Sequence, residues 1–155
     1  MNLKVFGYKP SIIETVIGGI VLAILLFWLY AKINRTIKEA REAKERRDLD
    51  AAINKNELAF DEQTYKNYAD KLEEAMAYTN FGTDEDAIYS VFKKCESASD
   101  VLQLIKDFGK RDYKNYLGIG STPLTLSGWL SRQLNQRELE KVNKILSDKG
   151  INIQF

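Results

Sequence analysis

The side chains that could do chemistry in this chain are mainly carboxylates, and their surroundings do not suit catalysis. The 155 residues include 22 Asp and Glu, one cysteine (Cys95) and no histidine. Without histidine, a Ser-His-Asp or Cys-His nucleophile cannot form, and a Cys/His zinc site or an internal disulfide is also excluded. We therefore predict no catalytic residue and no cofactor, and we interpret Cys95 as a small core residue.

General acid–base catalysis needs a carboxyl group whose pKa is raised by burial. At the sequence level no carboxylate occupies an apolar position except Glu14, which stands at the end of an apolar stretch. That place predicts contact with lipid headgroups rather than proton transfer. The glycine-containing segment 118–123 lacks the lysine and the preceding strand of a phosphate-binding loop. These residues favour a protein that is not an enzyme.

The apolar stretch runs from Ile12 to Ile33, and no charge occurs between Glu14 and Lys32. As a helix, the uncharged part spans roughly 25 Å, and the flanking isoleucines extend this to the ~30 Å of a bilayer's hydrocarbon core. We predict a tail over residues 1–10 and a transmembrane helix over residues 11–33. The predicted membrane-interface residues are Glu14, Trp28, Tyr30, Lys32 and Arg35.

Charges on the two sides of this helix predict its orientation. Seven Lys and Arg residues lie between positions 32 and 47, against Lys4 and Lys9 before the helix. Because Lys and Arg accumulate on the cytoplasmic side, we expect the N-terminus outside and the C-terminal body in the cytoplasm. The predicted location is thus a membrane, crossed once.

The apolar stretch has three other interpretations. A buried core helix would need a larger apolar core than this charged chain offers. A cleaved signal peptide would need a small-x-small pair after the apolar run, and none is present there. Gly19 and Ala23 form a small-xxx-small pair, which makes them the candidate helix-dimer face of a homo-oligomer.

Residues 34–60 are rich in Ala, Glu, Lys and Arg and predict a charged helical stalk. Ile33, Ile37 and Ala40 begin a heptad-like seam, but Lys44 and Arg47 end it, which favours a stalk over a coiled coil. The net charge of +1 comes from alternating signs rather than from a basic patch. No nucleic acid is therefore an expected partner.

Residues 61–155 predict a small all-α bundle of about five to six helices. Asp61, Thr83, Ser97 and Asn135 are the predicted N-caps of four of these helices, with Ser99 as an alternative to Ser97. Asp112 is expected to cap a short helix that carries Tyr113, Tyr116 and Leu117. The last residues, Ile151 to Phe155, alternate apolar and polar side chains and predict an extended tail across the bundle.

The run Gly82-Thr-Asp-Glu-Asp-Ala-Ile88 resembles the opening of an annexin repeat. The likeness continues at Ser97, at the junction Phe108-Gly-Lys-Arg-Asp-Tyr113, and at Ser127-Gly128 within residues 126–134. The chain is thus similar to one degenerate annexin repeat, Gly82 to Leu134, behind a membrane helix. The resemblance implies an annexin-like helical domain over residues 61–155.

The resemblance also implies calcium ligands at Phe81, Gly82 and Asp84. The pattern departs from the family, however, because Asn80 replaces a glycine of the calcium loop and no Asp or Glu lies between Asp112 and Glu138. Calcium takes six to eight oxygen ligands, several of them carboxylate. With so few carboxylates in place, we predict no metal site, and these three residues remain the calcium candidates.

Two functions are compatible with these patterns. The first is a non-enzymatic, single-pass membrane protein whose annexin-like domain acts as a structural or protein-interaction adaptor for an unidentified protein partner. The alternative is a virion structural or ejection-associated protein of a tailed bacteriophage. The alternative rests on a likeness to degenerate annexin-like units of bacterial and phage proteins, which is an analogy between folds.

Overall fold

The computed structural model describes residues 12–77, 82–114 and 120–155, with side chains described from Gly19 onward. The tail of residues 1–10, the side chain of Glu14, Phe81, Tyr116 and Leu117 lie outside the described residues. The prediction of an all-α protein that begins with an apolar helix is confirmed. The elements are α1 (Ile12–Ala52), α2 (Glu62–Met76), α3 (Glu85–Phe92), α4 (Ala98–Phe108), β1 (Lys110–Lys114), β2 (Ser121–Thr125), α5 (Leu126–Gln133) and α6 (Gln136–Ser147).

α1 is one continuous helix because its sequence contains no proline and is rich in helix-forming residues. The chain divides into two compact units, the first ending at Glu45 and the second beginning at Arg46. The last two turns of α1 therefore belong to the second unit, which we call the helical domain (residues 46–155). The predicted stalk is helical as far as Ala52, and a short 3-10 helix, Lys55–Glu57, follows it.

Three of the predicted N-caps are confirmed. The Asp61 carboxylate accepts a hydrogen bond from the backbone N–H of Thr64 at 2.7 Å. Ser97 and Asn135 each form a reciprocal capping box with the acidic residue three positions later. These side chains satisfy backbone N–H groups that have no partner within the helix.

The predicted start of α3 at Thr83 is wrong by one residue. Asp84 caps this helix, and its carboxylate accepts a hydrogen bond from the N–H of Ala87 at 2.8 Å. The Thr83 hydroxyl instead donates to the side-chain oxygen of Gln133 at 2.8 Å. Thr83 therefore ties the start of α3 to α5.

The core of the helical domain is formed by the apolar sides of α2 to α6. Each of these helices is amphipathic, so its apolar stripe must be buried against neighbours. Tyr65, Phe92 and Phe108 are among the largest fully buried side chains. Cys95 is 1% exposed, which confirms that it packs as a small core residue.

The helix predicted after Asp112 is wrong at Tyr113 and Lys114, because these residues belong to a β-strand; the rest of the predicted helix lies outside the described residues. β1 pairs antiparallel with β2, with Asp112 opposite Pro123 and Tyr113 opposite Thr122. Gly109, with φ of 58°, turns the chain out of α4 just before β1. Tyr113 is partly buried against the core, and its ring packs edge-on against Trp129 with centroids 5.1 Å apart.

The C-terminal residues lie across the bundle, as their alternating pattern predicts. Ile151 is 4% exposed, and the ring of Phe155 packs against Phe92 with centroids 5.3 Å apart. The Asn143 side chain accepts a hydrogen bond from the Phe155 N–H at 2.9 Å and donates to its carbonyl at 3.1 Å. This tail closes one side of the core.

Candidate membrane anchor and polar junction

The described part of α1 carries its apolar side chains on the outside of the protein. Between Ile20 and Tyr30 the large apolar residues are 48% to 72% exposed, with Leu29 the lowest and Phe27 the highest. An 18-residue window of this helix has a mean hydropathy of 1.6, and none of it is buried. By length and composition, α1 can cross a membrane. A helix that serves the core of its own chain would bury these residues, so that interpretation does not fit.

Four of the five predicted interface residues, all except Glu14, lie together at the C-terminal end of the apolar surface. Trp28 and Tyr30 are 61% and 65% exposed. The Lys32 amine lies 5.2 Å from the centroid of the Trp28 ring, a cation–π contact across one helical turn. Arg35 pairs with Glu39 at 2.8 Å. The structure thus provides an aromatic ring and a cation at the position where the apolar surface ends.

Gly19 and Ala23 both lie on the exposed surface of α1. A Cβ atom added at Gly19 would meet no heavy atom within 4 Å. None of the described residues covers this pair, and the small-residue face remains a prediction.

The segment after α1, Ile53–Asp61, is held against the start of α4 by polar contacts, and we call this region the polar junction. Just before it, the Asp50 carboxylate pairs with the Lys106 amine of α4 at 2.5 Å. The Asn54 N–H donates to the Ser99 hydroxyl at 3.1 Å. The Ser97 hydroxyl donates to the carbonyl oxygen of Glu57 at 3.0 Å. Serine hydroxyls near the N-terminus of α4 thus bind the backbone of a segment some 40 residues earlier.

Asp100 is the centre of the polar junction and is fully buried. One carboxylate oxygen accepts from the Ala59 N–H at 2.9 Å and from the Tyr65 hydroxyl. The other accepts from the N–H groups of Glu96 at 2.7 Å and Ser97 at 3.0 Å. One side chain therefore connects the junction segment, α2 and the start of α4.

The burial of Asp100 was not predicted from the sequence, although its pKa is lowered rather than raised. Its Ser97 partner is evident in the sequence, but the burial results from Ala59 and Tyr65, which are 41 and 35 residues away. A capping-box aspartate normally faces solvent at a helix start. In the sequence, the burial of Asp100 is indicated by the two residues that follow it, Val101 and Leu102, which begin an apolar stripe.

The electrostatics of Asp100 and Tyr65 favour a structural role. Burial alone would raise the pKa of Asp100, but hydrogen bonds from the Tyr65 hydroxyl and the backbone N–H groups outweigh it and hold this pKa below its usual range. Burial and the neighbouring Asp100 carboxylate raise the pKa of Tyr65 well above its usual value. Near neutral pH the carboxylate stays ionised and the phenol stays protonated. The pair therefore has no accessible proton to exchange with a substrate.

The remaining chemical candidates have structural partners. Asp84 uses its carboxylate to cap α3, and Gly82 lies in the left-handed region with φ of 87°. In the described ranges, no group of three or more His, Cys, Asp or Glu side chains is arranged to hold a metal ion. Burial raises the pKa of the Cys95 thiol to about 12, so it is a poor nucleophile at neutral pH.

No protein-family model, curated protein or solved structure matches this chain.

Proposed function

We propose that this chain is a non-enzymatic, single-pass membrane protein whose helical domain acts as an adaptor for another protein. The observation that carries the proposal is the unburied apolar surface of α1, from Ile20 to Tyr30. Exposing so many large apolar side chains to water is unfavourable by ~25 cal/mol per Å². A bilayer is the environment that removes this surface from water along the whole circumference of the helix.

The proposed orientation has the N-terminus outside and the helical domain in the cytoplasm. It rests on the seven Lys and Arg residues between positions 32 and 47, compared with two before the helix. An activity reporter fused after Phe155 should therefore function only in the cytoplasm. A reporter that functions only outside the cytoplasm would refute this orientation.

The adaptor role follows from the helical domain using its buried polar groups for its own fold, which leaves its surface for binding. The described buried side-chain N and O atoms all have hydrogen-bond partners, and the central carboxylate, Asp100, is committed to the fold. The exposed large apolar residues of the described structure all lie in α1. The proposed partner surface is therefore polar and charged. The annexin likeness remains a prediction about this domain.

Membrane insertion can be tested by placing charges on the apolar surface. We expect the full chain to stay in the membrane fraction after an alkaline carbonate wash, and the double variant Leu22→Arg with Leu26→Arg to be released. A matched control, Gln136→Arg with Glu140→Arg, adds arginines to exposed positions of α6 and should stay with the membrane. Release of the unchanged chain by carbonate would contradict the proposal.

The washed membrane fraction also distinguishes the membrane adaptor from the virion alternative. Recovery of the chain in washed host membranes without infection supports the membrane protein, whereas recovery only in purified particles supports the virion component.

The adaptor role itself is tested by affinity capture from detergent extracts. A protein captured by the full chain, but not by a chain ending at Glu45, would support it. Failure to capture any protein reproducibly would remove the main support for an adaptor.

A further inference from the structure

We infer that α1 pairs with α1 of a second copy of this chain, in parallel, along one continuous seam that begins inside the bilayer and ends in the stalk. The inference rests on the proposed membrane insertion but identifies a binding partner that the proposed function does not. It starts from the angular positions of the apolar residues around α1. Because the helix is unbroken from Ile12 to Ala52, apolar residues before and after Lys32 keep a fixed angular relation.

The spacing of these residues matches a heptad repeat. From Gly19 the steps along the seam are four, three, four, three, four and three residues, which is the alternation of the two core positions of a coiled coil. The seam covers about three heptads, but residues 19–31 are aliphatic, aromatic or glycine throughout, so its position on the helix is fixed by Ile33, Ile37 and Ala40, which stand among polar residues. The seam residues are Gly19, Ala23, Leu26, Tyr30, Ile33, Ile37 and Ala40.

The bilayer alone cannot cover the last part of this seam. Ile33 and Ile37 are 49% and 47% exposed, and charged residues surround them at the same level of the helix. Ala40 lies nine residues after Ala31, or roughly 13 Å further along the axis, beyond the hydrocarbon core. An apolar stripe in this aqueous layer needs a protein surface with the same period. A second α1 has that period.

Charge placement along the stalk fits the same contact. Between Lys32 and Ala43, Arg41 is the only charged residue at a position flanking the seam. The other flanking positions hold Asn34, Thr36 and Ala43. The remaining charges of this segment lie on the outer side, and the Arg35–Glu39 ion pair there is satisfied within one chain. Two copies can therefore approach along the seam with little like-charge repulsion.

The two helices must be parallel, because the Lys and Arg residues that orient one copy in the membrane orient the second copy in the same way. Gly19 and Ala23 let the two backbones approach inside the bilayer, where interhelical contacts rely on close packing. Lys44 and Arg47 follow at the next seam positions, and their like charges end the contact. The contact is therefore confined to the first two turns of the stalk, which agrees with the interpretation that the stalk as a whole is not a coiled coil.

Disulfide crosslinking of the full chain in phosphatidylcholine vesicles tests this inference. Single cysteines replace each residue from Ile33 to Ala40, while the buried native Cys95 is kept and the unchanged chain serves as the blank. Bridging requires Cα atoms within ~7 Å, so Ile33→Cys, Ile37→Cys and Ala40→Cys should crosslink about tenfold more than the outward variants. Those matched controls are Arg35→Cys, Lys38→Cys and Glu39→Cys.

Flotation of the same vesicles separates failure of the inference from failure of membrane insertion. A chain that floats with lipid but crosslinks equally at all positions, or most at the outward ones, overturns the seam. A floating chain with no crosslink above the blank overturns pairing with a second copy. A chain that does not float refutes the proposed insertion and, with it, the inference.

Discussion

Asp100 shows how a residue suited to acid–base chemistry can serve the fold instead. Its carboxylate is fully buried, yet four donors surround it and it carries the negative charge they require. Buried charges are tolerated only when their hydrogen-bonding capacity is filled, and removing one partner is costly. The stability of the helical domain should therefore depend on the negative charge of this side chain.

Replacing Asp100 by asparagine should destabilise the helical domain by ~2–3 kcal/mol. The substitution keeps the shape but directs an amide NH₂ at donors that the carboxylate oxygen accepted from, so at least one hydrogen bond is lost. The free energy of unfolding in urea, followed by circular dichroism, measures the effect. Asp148→Asn, at an exposed site where α6 ends, should leave it nearly unchanged. Equal stability of Asp100→Asn and the native chain would refute the role of Asp100.

The stability difference between the native chain and Asp100→Asn should also depend on pH. Because the pKa of Asp100 is lower in the folded state than the ~3.9 of an unfolded aspartate, its contribution is complete above that value. It is lost as pH falls through the folded pKa, since the carboxylate must then be protonated. The difference should thus be constant above pH ~5 and shrink below it. A difference that stays constant or grows on acidification would contradict this account.

At the scale of elements, Arg111 attaches the β-hairpin to α2. Its guanidinium pairs with Asp70 at 2.8 Å and with Glu73, and its Nε donates to the carbonyl of Phe108 at 3.1 Å. The Arg111 carbonyl accepts a hydrogen bond from the Trp129 indole at 3.2 Å. A two-stranded hairpin is marginally stable by itself, so it depends on contacts of this kind.

Arg111→Met should therefore loosen the hairpin and cost ~1–3 kcal/mol. Arg111→Lys keeps the charge but lacks the planar group that reaches both acids, so it should recover only part of the loss. Hydrogen exchange of the β1 and β2 amides measures the local effect. The control Arg137→Met changes an exposed residue of α6 and should leave hairpin exchange unchanged. Unchanged exchange in Arg111→Met would show that the ion pairs do not hold the hairpin.

The elements that the sequence predicts well are those specified by neighbouring residues. Asp61, Ser97 and Asn135 were recognisable as caps because their partners lie three residues away. The hairpin was missed because Tyr113, Tyr116 and Leu117 have helical spacing, whereas the partner strand is defined only by pairing around Pro123. Asp100 was missed for the same reason, since its distant partners are brought together only by folding.

At the scale of the whole molecule, the two units differ in whether they bury their own apolar surface. α1 presents an apolar surface and therefore needs lipid or another protein. The helical domain from Arg46 onward buries its own core, which includes the polar junction. Domains with their own core can fold alone. A fragment of residues 46–155 should therefore be soluble without detergent and unfold in one cooperative transition.

The polar junction makes this fragment sensitive to its N-terminal boundary. A fragment of residues 62–155 would lose the Asp50–Lys106 ion pair, the Ala59 donor to Asp100 and the Phe60 ring, which packs 5.9 Å from Tyr65. It also uncovers Asp100, so we expect it to be less stable than 46–155 by ~3–6 kcal/mol. Urea unfolding of the two fragments under identical conditions measures the difference. Equal stabilities would show that residues 46–61 do not stabilise the domain, whereas the expected loss would make the C-terminal end of α1 a structural part of it.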